Sequence, residues 1–280
     1  MYIGTNYRRL CRIMLFDKTH ILYMVISAII TAGIMVLAFF FLKSQKSKDI
    51  LLKFFAVITV VIHFSQIYYD FFVNNPDEIK PTLELSMFIP AFACNVCMWL
   101  LVIVAFGNKE NKFIQLLSHF VALGGIVCGF VGIFINENYD AFTPTETMTN
   151  ALQDYGILKG LLSHSTMLAG AIYLLVGKYV KPRVGKSVLG VTIGLAIFAA
   201  DGIVLNTLYK IAGFEDLNSM YLQEPPFENM PWLNTLTIGV IGILVTFLIG
   251  MITEFIAVPK EERWYSKIKQ YIKEKKENKV

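Results

Sequence analysis

Apolar residues run along this chain in blocks of about twenty separated by short polar stretches, and the blocks fall at 20–43, 51–74, 83–106, 113–135, 156–180, 186–210 and 234–257. About 20 such residues are what a helix needs to cross the hydrocarbon core of a bilayer. Within that core each backbone N–H and C=O must be paired inside the protein, so each block is expected to be helical. The pattern predicts an all-α, polytopic membrane protein, a bundle of about seven transmembrane helices over 20–257. An interfacial segment over 1–19 precedes it and a basic tail over 258–280 follows. No internal repeat is visible.

Composition agrees: 55% of the 280 residues are apolar and 16% charged, and the mean hydropathy of +0.57 exceeds that of soluble globular chains. The net charge of +4 does not point to nucleic acid. Its cations lie in short loops and in the tail KIKQYIKEKKENK, where they set topology and meet lipid headgroups. Lys43, Lys46, Lys48 and Lys53 follow the first block, Lys109 and Lys112 the third, and Lys178, Lys181, Arg183 and Lys186 the fifth. The loops near 75–82, 136–155 and 211–233 are nearly free of them. This alternation predicts a multi-pass protein of the cell membrane with a cytoplasmic carboxyl terminus. It places the amino terminus outside, against the preference of Arg8, Arg9, Arg12 and Lys18. The start of the chain lacks an h-region and cleavage site, so an uncleaved amino terminus is expected. Cys11, Cys94, Cys97 and Cys128 lie in apolar or membrane-adjacent sequence, unlike the framework of a secreted disulfide scaffold.

Ionisable and nucleophilic side chains are costly inside a bilayer and usually have a task there. Counting ~1.5 Å per helical residue from the outer helix ends places Cys94 and His63 at about 16 Å, Asp201 at about 13 Å and His164 at about 12 Å. Asn95 follows the cysteine, Ser163 and Ser165 flank His164, and His63, Gln66 and Asp70 share one helical stripe. These residues predict a polar cavity in the outer half of the membrane. Cys94, His164, Asp201 and Asn95 are its candidates for chemistry, and His63, Gln66, Ser163 and Asn206 its candidates for substrate binding. Asn206 lies about 140° around the helix from Asp201, so those two need not face the same space.

Each candidate has a plainer alternative. A transmembrane cysteine is often a small packing residue, a buried aspartate an ion-pair partner, and a histidine a bond to the next helix. Cys94 and Cys97 also form a CxxC with both thiols on one helical face. A mid-helix position would leave them without a helix amino terminus to stabilise a thiolate, and too few ligands lie near them for zinc. Gly125 and Gly129 form a GxxxG pair, with Gly124 and Gly132 nearby, which lets a neighbouring backbone approach closely. A lipid tail in that groove is the alternative.

The run Pro90-Ala91-Phe92-Ala93-Cys94-Asn95 has the form P-x-x-x-C-[DN], and Leu162-Ser163-His164-Ser165 the form x-S-H-x. Asn206, Gly213, Asn218, Met220, Tyr221, Leu222 and Pro225 follow in order, then Pro231 and Trp232. In this order and spacing, over the second to seventh blocks, the chain resembles the YwaF-like bacterial membrane proteins. It equally resembles their eukaryotic relatives, transmembrane acyltransferases acting on lysophospholipids. It departs from them at Phe92, where a histidine is common, and at Asn95, where an aspartate is common. The resemblance implies that Cys94 carries an acyl group, that His164 assists, and that membrane glycerophospholipids are the substrate. Thiolate attack on an ester, with an imidazole moving the proton, needs no soluble cofactor, and Asp201 or Asn95 would orient that imidazole. Two other readings stay open. One is a carrier or binding protein for a small polar or lipid molecule, using His63, His164 and Asp201. The other is a noncatalytic scaffold, favoured by the departures at Phe92 and Asn95.

Overall fold

The computed structural model describes residues 13–14, 16–69, 72–73, 90–134, 139–140, 147–213, 218–225 and 231–277. Arg8, Arg9, Arg12 and Asp70 lie outside them. The apolar blocks form α1 (Lys18–Phe41), α2 (Gln45–Tyr69), α3 (Ala93–Phe106), α4 (Lys112–Phe134), α5 (Tyr155–Val176), α6 (Val184–Ile211) and α7 (Thr235–Ala257). Six are long and apolar enough to cross a membrane, and α3 is a shorter apolar helix of 14 residues. A basic helix, α8 (Trp264–Glu277), follows. The architecture is the expected all-α, multi-pass bundle. Beside it is one short parallel pairing of Ile13–Met14 with Tyr139–Asp140.

Polar side chains at the block edges start the helices by accepting otherwise orphaned amides. Asp17 caps α1 by accepting from His20 N, and its second oxygen accepts from Met148 N at 2.6 Å, fastening α1 to the helical turn Met148–Ala151. Asp154 caps α5 and Asn234 caps α7 in the same way.

The third block departs from expectation. Its helix begins only at Ala93, after Phe92 in extended conformation (φ −127°, ψ 154°). The reason is tertiary: the Ala91 carbonyl accepts from Ser219 Oγ at 2.7 Å and from Met220 N at 3.1 Å. A short helical turn, Ser219–Tyr221, thus reaches in from the α6–α7 connection and takes the hydrogen bonds that a continuous helix would use. Non-helical backbone at membrane depth is tolerated where protein covers it in this manner.

Helix α4 is central, packed on α3, α5 and α6, while α5 also packs on α2. The α4–α5 seam is close because a Cβ at Gly125 would stand 2.9 Å from Ala171 Cβ, and one at Gly129 2.8 Å from Leu168 Cβ. The glycine groove is therefore filled by α5 and not by a lipid tail. Helices α1 and α7 are peripheral, with most of their apolar side chains exposed, as lipid-facing helices require.

The loops richest in lysine and arginine meet at one end of the bundle. Tyr179 donates to Asp49 Oδ1 at 2.5 Å, and Lys109 Nζ lies 5.9 Å from the Tyr179 ring centroid. Nearby, Arg183 pairs with Glu262 at 2.5 Å. Buried Glu254 accepts Val184 N at 2.6 Å through one oxygen and Trp264 N at 2.9 Å through the other. One carboxylate thus satisfies the amino ends of both α6 and α8.

Candidate functional site

Residues 163–166 of α5 turn by about 100° per residue and so address different neighbours. Ser163 Oγ donates to its own helix at Gly160 O, 2.9 Å away. Ser165 Oγ meets Tyr23 Oη at 2.7 Å and Ser27 Oγ at 3.1 Å on α1. Thr166 Oγ1 accepts from Thr59 on α2 at 3.0 Å. His164 faces α4 and lies against Gly132, where an added Cβ would come within 2.0 Å of Cδ2 and 2.3 Å of Nε2. Only glycine leaves room for this ring.

His164 Nδ1 is 2.7 Å from Gly160 O. A carbonyl can only accept, so Nδ1 carries the hydrogen and Nε2 carries the lone pair. This backbone carbonyl, one turn away on the same helix, orients the ring.

Cys94 is the second residue of α3, which corrects the expectation that it is buried mid-helix. The non-helical backbone at 90–92 places it in the first turn of the helix, where the helix dipole favours an anion. Its thiol donates to Asn95 Oδ1 at 3.5 Å, while the Asn95 amide donates to Phe92 O at 2.9 Å. Cys97 contacts Cys128 on α4, sulfur to sulfur 3.9 Å, and Cys128 lies one turn before Gly132.

Counting helical rise from a shared contact brings Cys94 and His164 to similar heights. A Cβ at Gly170 would touch Leu101 Cδ2 at 2.8 Å, which marks one level on α3 and α5. From that contact Cys94 lies about 10 Å and His164 about 9 Å toward the same end of the bundle, at ~1.5 Å per residue. Among the described residues no hydrogen bond joins the two side chains. Lys159, five residues before His164, is near enough for its charge to act on both.

The other candidates are distributed around this pair. Asp201 stands eleven residues beyond Gly190, whose neighbours on α4 are Leu116 and His119, so it reaches about the height of Gly129. Its Oδ2 is buried and has no hydrogen-bond partner among the described residues. Asn206 spends its amide on Ser219, donating to the carbonyl at 3.2 Å and accepting from the N–H at 2.8 Å. Through Ser219 and Ala91 it supports the approach to Cys94. His63 is buried, edge-on to Phe64. Gln66 lies farther out, near Gly156 at the start of α5. Gly160, Cys128, Ser219 and Lys159 carry no signal in the sequence that marks them for this site, and Gly132 shows there only as part of a glycine groove. The glycine pattern was the available signal for Gly132.

The model of the TMEM164 family matches residues 15–253, which is most of the chain and includes every residue of this site. It does not extend to the YwaF-like assignment suggested by the motifs. No curated protein and no solved structure matches the chain.

Proposed function

The chain belongs to the TMEM164 family, and from that premise we propose that it is an intramembrane Cys/His acyltransferase or lipid hydrolase acting on glycerophospholipids. His164 Nε2 takes the proton from the Cys94 thiol, and the thiolate attacks the ester carbonyl of a lipid whose acyl chain already lies in the bilayer. The C–O bond breaks, the lysolipid leaves with the proton returned by the imidazolium, and a thioester remains. An alcohol of a second lipid, or water, then gives up its proton to Nε2 and displaces the Cys94 thiolate, which is reprotonated. The amides at the start of α3 favour negative charge at the sulfur. Asn95 holds the thiol, Asn206 supports the break at 90–92, and Ser163, His63 and Gln66 line the approach. The cationic end of the bundle and the carboxyl terminus face the cytoplasm.

What supports this reading is an imidazole whose Nδ1 is bonded to Gly160 O, which leaves Nε2 to take a proton, together with a thiol in the first turn of α3. The buried, unpartnered oxygen of Asp201 favours a second reading, a carrier that couples transport to a proton.

The test is turnover of lysophospholipid and acyl donor by purified protein, with labelling by a thiol-reactive lipid probe. Cys94→Ala should abolish both, whereas Cys97→Ala should retain most activity. His164→Ala should slow acylation by roughly 10²–10⁴. Turnover by Cys94→Ala at the parent rate would exclude the nucleophile assignment and leave the carrier reading.

A further inference from the structure

At the cationic end, between the last turns of α1 and α5 and the first turn of α2, lies a cleft of about 140 Å³. Lys43, Lys48 and Lys178 line it together with Phe39, Leu42 and Val176, and no carboxylate is among its lining residues. Each lysine is placed by local structure. Lys43 follows the end of α1 and donates to Phe39 O at 3.1 Å, leaving two ammonium hydrogens for another acceptor. Lys48 sits in the first turn of α2, its carbonyl accepting from Tyr173 Oη at 3.3 Å. Lys178 adopts a left-handed conformation (φ 65°) just past α5, in a reversal closed by Tyr179 N and Val180 N on Leu174 O. The neighbouring acid, Asp49, is engaged elsewhere: its Oδ1 accepts from Tyr179 at 2.5 Å and from Gln45 at 2.9 Å.

Three lysines lining a cleft together with apolar residues complement an anion attached to hydrocarbon. We propose that the cleft binds the phosphate headgroup of an anionic phospholipid, whose acyl chains descend along the exposed face of α1. That face continues directly from the cleft, with Leu37 57%, Phe39 55% and Phe40 60% exposed. Free phosphate would use the lysines and leave the apolar wall idle. The cleft is separate from the Cys94 and His164 level, since Tyr173 is nine residues, about 13 Å, along α5 from His164. It therefore stands independently of the proposed acyl transfer.

The test titrates full-length purified protein in detergent with short-chain phosphatidylglycerol, short-chain phosphatidylcholine and inorganic phosphate, read by native mass spectrometry. Phosphatidylglycerol should bind at least tenfold tighter than either comparison. The combined variant Lys43→Gln, Lys48→Gln, Lys178→Gln should weaken it about 100-fold, at roughly fivefold per interfacial lysine. Lys267→Gln with Lys269→Gln on α8 should leave it unchanged. If thermal unfolding shows the triple variant destabilised, the single exposed change Lys178→Glu should still cost roughly fivefold or more. Equal affinity for phosphatidylcholine, or full binding by the lysine variants, would overturn the site. Phosphate as tight as phosphatidylglycerol would make it a site for free anions and overturn the lipid assignment.

Discussion

Gly132 and His164 fit against each other with less than a methyl group to spare: a Cβ on residue 132 would lie 2.0 Å from the imidazole Cδ2. Gly132→Ala should therefore displace the ring and break its bond to Gly160 O. Overpacking of this kind costs roughly 1–3 kcal/mol, and loss of a positioned base costs roughly 10²-fold or more in rate. The comparison is Gly239→Ala on lipid-facing α7, where nothing lies within 4 Å of the new Cβ. Melting temperature and acyl-transfer rate should fall for the first variant and hold for the second.

Asn206→Ala should loosen the turn that fills the break before α3. It leaves the buried N–H of Ser219 without its acceptor and the carbonyl with Leu222 N as its remaining donor, at roughly 1–3 kcal/mol for the unsatisfied N–H. The turn already holds Met220 (φ 55°) and Tyr221 (φ 54°) in the left-handed region, a conformation that persists only where surrounding bonds impose it. Thermal unfolding should register the loss, and probe labelling of Cys94 should fall with it. Unchanged labelling would show that the turn does not position the thiol.

The lipid-crossing helices were legible from block length alone, because hydrocarbon leaves a backbone no other solution. Residues 90–92 were not. An apolar run reads the same wherever its helix begins, and the start at Ala93 depends on Ser219, 128 residues away from Ala91. The same blindness hid the position of Cys94 at a helix start. Residue type pointed to His164, but its tautomer rests on a backbone carbonyl, which carries no signature in residue identity. Asn206 stood out as a polar residue in an apolar helix, although its amide proves to be spent on a loop.

Tyr179, just outside the membrane-spanning part of α5, gives a pH test. Burial, and then its hydrogen bond to Asp49 and that carboxylate's charge, raise its phenol above the ordinary value of 10.0. The folded state thus holds this proton more tightly than the unfolded chain. Its contribution is fully present below about pH 10 and is lost as pH climbs beyond that toward the folded value. Tyr179→Phe should melt lower than the parent at pH 8, by roughly 1–3 kcal/mol for a charge-assisted bond. The gap should narrow above pH 10, and melting curves from pH 8 to 11 would reveal a gap that stays constant.

Glu254→Ala removes the acceptor of two helix amino ends, at roughly 0.5–2 kcal/mol each. Glu254→Gln keeps one acceptor oxygen and should lie between. With its start released, α8 should become sensitive to trypsin at Lys267 and Lys269 before the bundle itself unfolds. Limited proteolysis followed by mass spectrometry would show whether cleavage begins there.

The contacts of Gly125 with Ala171, Gly129 with Leu168 and Gly132 with His164 act together as the teeth of a rack. Sliding α5 along α4 by one turn would drive a side chain into a space sized for hydrogen. When a bilayer thins or thickens, a bundle adapts by tilting or by deforming the surrounding lipid, and this seam stays in mesh. The elevation of the imidazole is thus measured from a neighbouring helix and not from the water surface, so the same few ångströms around it persist in membranes of different thickness.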